Sequence, residues 1–153
     1  MTDTPAFTYE DSPTEPGWKV WAFRDPTRFN GFLEPILVRV EGDIARVRMT
    51  PLHRHSNMRQ AMHGGAILGF IDVALFAGAR GLGTLQAGGA VTLDLATQFI
   101  GAARIGTPVE ARIELLRETG RLIFLRGLVV QEDEPTVASF TATLRKMPVV
   151  DVA

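Results

Sequence analysis

Stretches in which every second side chain is apolar flank one long stretch that is apolar nearly all round. PILVRVEGDIARVRMT, residues 35–50, sets Val38 and Val40 against Arg39 and Glu41, then Ala45, Val47 and Met49 against Arg46 and Arg48. That period of two is a strand pattern, and Gly42-Asp43 between the halves predicts a hairpin. Before it, Asp25-Pro26 followed by Phe29, Phe32 and Leu33 predicts a short helix. The small and apolar run from Ala66 to Ala79 predicts a helix over Gly64 to Arg80, with GLGTLQAGG as its glycine-rich exit. Alternation returns in AVTLDLATQFI, with Val91, Leu93 and Leu95 on one face and Thr92 and Asp94 on the other. TPVEARIELLRE, LIFLRGLVV and TVASFTATLRK extend the series, with turns at Thr119-Gly120 and at Asp133 to Pro135, and Phe99, Phe124 and Phe140 are expected in the core. The predicted order is two strands, one long helix and four strands. A helix apolar on most of its surface needs cover on most of its surface. The class is therefore α+β, a central helix wrapped by an antiparallel sheet, with a second chain covering what the sheet leaves open.

The chain has 153 residues and 46% hydrophobic content, enough for a sizeable core in one domain. Residues 1–17 are acidic and proline-rich and read as a flexible arm, 18–148 as the domain and 149–153 as a tail. Sixteen Lys and Arg balance seventeen Asp and Glu with no basic run, so nucleic acid is not an expected partner. There is no cysteine, which removes disulfides, thiolate ligands and a cysteine nucleophile together. The N-terminus lacks the basic start and apolar stretch of a signal peptide, so a cytoplasmic location is the expectation. The Ala66–Ala79 run falls short of the ~20 residues that span a bilayer, and no membrane partner is expected.

Asp72 stands in the middle of that apolar run. A carboxylate in a helix interior costs several kcal/mol unless it is paired, and such acids concentrate at functional sites. The structural alternative is a pairing with an arginine such as Arg80 or Arg104. At the start of the same helix, Gly64 and Gly65 leave the first-turn N–H groups unobstructed, a pocket suited to a polarised carbonyl oxygen or an anion. Asp72 lies about two turns, ~10 Å, from Gly65 at 1.5 Å per residue. One carbonyl cannot sit ~3 Å from both. Two antiparallel helices from two chains would bring one chain's Asp72 beside the other's Gly65, which predicts a homodimer with the site at its interface.

Asn57, His63-Gly64-Gly65 and Asp72, with an Asn, His-Gly-Gly six residues on and an acid nine residues after that His, resemble the hotdog-fold acyl-CoA thioesterases of the phenylacetate-degradation type. The resemblance runs from Phe29 to Lys146. It implies a hotdog fold and hydrolysis of an aryl- or medium-chain acyl-CoA to free acid and CoA, by a homodimer or homotetramer without a cofactor. It implies that Gly65 N–H polarises the thioester carbonyl and that Asp72 of the other chain serves as general base or nucleophile. Asn57 would orient the thioester or the water, and Thr92, in a strand resembling the family's Ser/Thr-x-Asp, would hold the water or the carboxylate. His63 is assigned to the site or to capping the helix. Gly64 and His55 fall at substrate-binding positions, Gln60 stands where many members carry Gly, and Arg121 is the candidate for the CoA nucleotide. The alternatives are a non-catalytic acyl-CoA binding module and a hotdog hydratase or dehydratase. No G-x-S-x-G elbow or Rossmann fingerprint occurs, and His53 and His55, sharing the face of a strand end, are not expected to hold a metal.

Overall fold

The computed structural model describes residues 6–85, 89–132 and 136–148. Its strands are β1 (Phe7–Asp11), β2 (Lys19–Phe23), β3 (Ile36–Glu41), β4 (Ile44–Met49), β5 (Ala90–Phe99), β6 (Val109–Glu118), β7 (Leu122–Val130) and β8 (Ala138–Lys146). The α-helix, α1 (Gly64–Gly81), falls between β4 and β5. These strands join one antiparallel sheet in the order β1-β2-β3-β4-β6-β7-β8-β5. A crossover carries the chain from β4 through α1 to β5 at the far edge, and the sheet closes around the helix between.

Alternation decides which side chains meet the helix. Ile36 and Val38 of β3, Ala45, Val47 and Met49 of β4, and Val109, Ala111 and Ile113 of β6 are buried, as are Ile123, Leu125 and Val129 of β7. They meet Ile67, Phe70, Ile71, Ala74 and Leu75 of α1 in one core. At Gly78 a Cβ would lie 2.9 Å from Ile113 Cδ1, so the glycine lets the helix axis approach the sheet there. Gly42, at φ +58°, turns the β3–β4 hairpin as its sequence predicts.

Several expectations are corrected. Phe7–Asp11, inside the stretch read as a flexible arm, is a strand paired residue for residue with Lys19–Phe23, so two further strands precede the predicted set. Phe7, Tyr9 and Trp21 supply the apolar contacts that hold it, with the Phe7 and Trp21 rings 4.4 Å apart. In β5 the register shifts between Thr92 and Asp94, so Thr92 faces the helix together with Leu95, the residue expected on the opposite face. Phe140 is core, but Phe99 is 53% exposed and Phe124 only half-buried. His53 and His55 lie in a single 3-10 turn, His53–His55, not at a strand end. The predicted short helix is likewise a 3-10 turn, Phe29–Phe32. The Asp133–Pro135 turn and the 149–153 tail lie outside the described residues.

On the outer face, a nearly buried Glu110 gathers Arg46 (2.6 Å), Arg112 (3.1 Å) and Arg48 (3.7 Å). The guanidinium of Arg48 lies 4.1 Å and that of Arg46 5.3 Å from the ring centroid of Trp18. Burial pushes the Glu110 carboxyl up, but hydrogen bonds from Arg46 and Arg112 outweigh it and hold the carboxyl below the ordinary 4.5. A depressed carboxyl stabilises the fold above its unfolded value, and that contribution is lost as pH falls through the folded value. Glu110→Gln should therefore cost about 2 kcal/mol at pH 7 and progressively less as pH falls below 4.5 through the folded value. Urea unfolding at pH 7 and along a descending pH series checks this; a loss that does not change with pH would contradict the ionic origin.

Candidate active site

The segment leading into α1 is built by local hydrogen bonds. Asn57 Oδ1 accepts from Arg59 N–H (2.8 Å) and Ala61 N–H (3.2 Å), a turn that commits its side-chain oxygen to the backbone. Gln60 completes the turn at φ +62°, in the left-handed region where glycine is strain-free, and its side chain is exposed. The departure from glycine therefore bears on backbone strain. Gln60 is not among the residues lining the cavity described below.

His63 is the N-cap of α1. Its Nδ1 accepts the N–H of Gly65 at 2.8 Å, while its own N–H donates to the His55 carbonyl at 2.7 Å. Of the two assignments for His63, this geometry is the cap. It also means that the Gly65 N–H already has an acceptor. Gly64 packs under Phe99, whose ring carbons lie 3.6 Å from where a Cβ would be. His55 is withdrawn from substrate: it is 1% exposed, Nδ1 accepts from Leu52 N–H at 2.8 Å and Nε2 faces the Phe32 carbonyl. With both ring nitrogens committed, it braces the turn against Phe32.

Asp72 sits two turns along α1, partly exposed. Thr92 Oγ1 donates to its Oδ1 at 2.6 Å, from the β5 position that pairs with the buried Leu144. No cation pairs with Asp72 among the described residues; Arg80 instead donates to the Leu85 carbonyl and lies over the Tyr9 ring. Among the described residues, Asp72 is the one charged group lining a cavity of about 320 Å³, whose walls include Phe7, Trp21, Phe23, Asn30 and Phe76. Arg121 lies in the β6–β7 turn, where its carbonyl accepts from Lys146 N–H; Lys146 is the register partner of Ala90, which also lines that cavity.

Asp72, Thr92 and the cavity are thus brought together, while Asn57, His63, Gly64 and Gly65 cluster at the helix start, ~10 Å away along one helix. His63, Gly65, Leu68, Asp72 and Phe76 nevertheless share the least buried strip of α1. Phe7 was missed because it belongs to the supposed arm, and Trp21 and Phe23 because the strand that pairs with it was not predicted. Their signal was the alternation of Phe7 and Tyr9, answered by Trp21 and Phe23 across Pro16-Gly17.

An apolar helix in an antiparallel sheet, with an acid facing a cavity from the helix, defines a hotdog protein. The thioesterase superfamily profile matches residues 60–138, and the chain belongs to that superfamily. Among solved structures, it is similar to a mutant of the phenylacetic acid degradation protein PaaI from Thermus thermophilus, at 28% identity over 80% of this chain and 100% of that one, with TM-score 0.64. The PaaI protein of the E. coli phenylacetic acid degradation operon is 20% identical over 74% and 80%, with TM-score 0.64. The Streptococcus mutans UA159 protein smu.793, solved bound to acetyl CoA, is 17% identical over 76% and 91%, with TM-score 0.65. No curated protein sequence matches the chain.

Two substitutions test the helix start. His63→Ala removes the cap and should cost about 1 kcal/mol, lowering Tm by roughly 2–4 °C. Gln60→Gly relieves the left-handed strain and should raise Tm by a similar amount. Calorimetry of both variants checks the signs, which are opposite although the residues are three apart.

Proposed function

We propose that the protein is an acyl-CoA thioesterase. The observation that carries this reading is the Asp72 carboxylate, held by the Thr92 hydroxyl at the wall of an apolar cavity with no cation among the described residues to neutralise it. In the reaction, water adds to the thioester carbonyl carbon, the C–S bond breaks, and the products are the carboxylic acid and the CoA thiol. Asp72 takes the proton of the attacking water, Thr92 fixes the carboxylate, and the proton ends on the departing sulfur. Developing charge on the carbonyl oxygen is stabilised at the N-terminus of α1, where the oxygen takes over the Gly65 N–H from the His63 ring. In this reading the Asn57 amide NH₂ orients the thioester, and Arg121 supplies positive charge for the nucleotide.

The donors and the base of one site come from two chains. Gly65 and Asp72 are seven residues apart on one strip, so an antiparallel copy of the helix sets each beside the other's counterpart. Two features support such a partner: the incompletely covered strip carrying Leu68, and the ten-residue strand β5, which among the described residues has one neighbour, β8, and leaves its other edge unpaired. In this reading the protein is a homodimer, alone or within a tetramer, located in the cytoplasm.

Asp72→Asn preserves shape and should lower kcat by about 10² or more, measured as free thiol released from a panel of acyl-CoAs; the chain has no cysteine to add background. Undiminished turnover would reduce Asp72 to a structural group. Mixing Asp72→Asn with Gly65→Pro, which deletes the donor at a first-turn position that tolerates proline, tests the shared site. Random exchange makes about half the dimers mixed, each with one intact site, and so should recover roughly a quarter of wild-type activity. Native mass spectrometry verifies the exchange; confirmed heterodimers at the parental background would place both groups in one chain.

A further inference from the structure

We propose that the β1–β2 hairpin is the acyl-selecting element of this protein, closing the pocket beside Asp72 with Phe7, Trp21 and Phe23 so that compact, ring-sized acyl groups are admitted and long linear chains are not. The proposal rests on the thioesterase reading and names the substrate class of the same site. The hairpin lies wholly before residue 60, where the match to the superfamily begins, so this wall is contributed by sequence outside the matched segment.

Three observations carry it. First, the wall is aromatic on several sides: Phe7, Trp21 and Phe23 from the hairpin face Phe76 of α1 across the cavity that Asp72 lines. Flat rings stack against flat rings in offset or edge-on geometries, each pair worth about 0.5–1.5 kcal/mol beyond area burial, which flexible chains do not gain. Second, the size suits a ring. A cavity of about 150 Å³ accommodates benzene, so 320 Å³ holds a ring with a short linker or substituent.

Third, the wall is fixed. Phe7 and Phe23 are register partners at the end of the hairpin, and Phe7 packs on Trp21 with ring centroids 4.4 Å apart. The Phe23 N–H donates to the Glu34 carboxylate at 3.0 Å, and Trp21, 3% exposed, is part of the main core. Rigid aromatic walls select by shape, because enlarging the pocket would cost core packing. Removing one ring enlarges the pocket where the acyl terminus ends.

The experiment compares benzoyl-CoA with palmitoyl-CoA as substrates of the full-length wild type, Phe7→Ala and Phe23→Ala, with Phe7→Leu as a variant that keeps the strand apolar. The wild type should favour benzoyl-CoA in kcat/KM. Either alanine variant should reduce the benzoyl-to-palmitoyl ratio by tenfold or more, through a raised KM for benzoyl-CoA and a gain on palmitoyl-CoA; Phe7→Leu should fall between. A ratio unmoved in all three variants, or both substrates falling in parallel, overturns the proposal. Calorimetric titration with a benzoyl-CoA analogue carrying CH₂ in place of the thioester sulfur separates the pocket from the chemistry. Weaker binding by about tenfold in Phe7→Ala and Phe23→Ala supports the pocket even should the wild type cleave no thioester, in which case the hydrolase reading alone falls. Equal affinity in all variants overturns the pocket whatever the turnover.

Discussion

The structure depends on how an eighteen-residue helix with almost no polar face is covered. An amphipathic helix needs one apolar neighbour, whereas this one needs a surface that curves around it. An antiparallel sheet supplies that surface because its twist coils the strands about whatever they enclose. Its strands can therefore present buried side chains to several sides of α1 at once. The crossover from β4, in the middle of the sheet, to β5 at its edge carries the chain across the face that the helix covers. What remains uncovered is a strip running from His63 through Gly65, Leu68 and Asp72 to Phe76. Asp72 and the first-turn donor Gly65 lie on that strip, and Thr92 reaches it through Asp72.

That arrangement reconciles two demands that conflict in a single chain. The helix start offers backbone donors and a positive dipole end, and the carboxylate offers a base, but 1.5 Å of rise per residue separates them by ~10 Å. Moving the acid into the first turn would bring it to the donors, where it would itself occupy them as a cap, as His63 Nδ1 does with Gly65. Separation along the helix keeps the acid free of the donors of its own chain, and a twofold partner can restore the proximity. The neutral imidazole at the cap is a weaker competitor for the Gly65 N–H than a carboxylate would be, since charge-assisted hydrogen bonds are roughly twice as strong.

Much of this was legible in the residues. The period-two pattern of β3, β4, β6 and β8 was readable because each has one buried face, and the limits of α1 were readable because Gly64 and the Gly81-Leu82-Gly83 exit bracket it. Asp72 and Thr92 are legible as residues, but which later β5 side chains join Thr92 on the inner face depends on a bulge near Leu93 that no alternation rule encodes, since the extra residue reverses the face of everything after it. His55 was misassigned because a histidine near a motif gives no sign of whether its ring nitrogens are already used; here a backbone N–H and a carbonyl take both. The N-terminal strand was obscured by composition. Pro13, Pro16, Gly17 and several acids surround only five strand residues, and the signal of Phe7 and Tyr9 is short beside them.

The same N-terminal segment shows how stability and specificity are joined in this fold. β1 is an edge strand with a single neighbour among the described residues, so its position is inherited from β2, and β2 in turn pairs with only three residues of β3. What holds the start of β2 is Trp18, buried beneath the guanidiniums of Arg46 and Arg48, which Glu110 holds in place. Cation–π contacts and a charge-assisted network on the outer face therefore position Phe7 and Phe23 on the inner face, through a strand five residues long. A strand that short has little room to absorb displacement at one end without transmitting it to the other. The arginine network, remote from Asp72 in chemistry, and the wall of the cavity that Asp72 faces thus share one short strand.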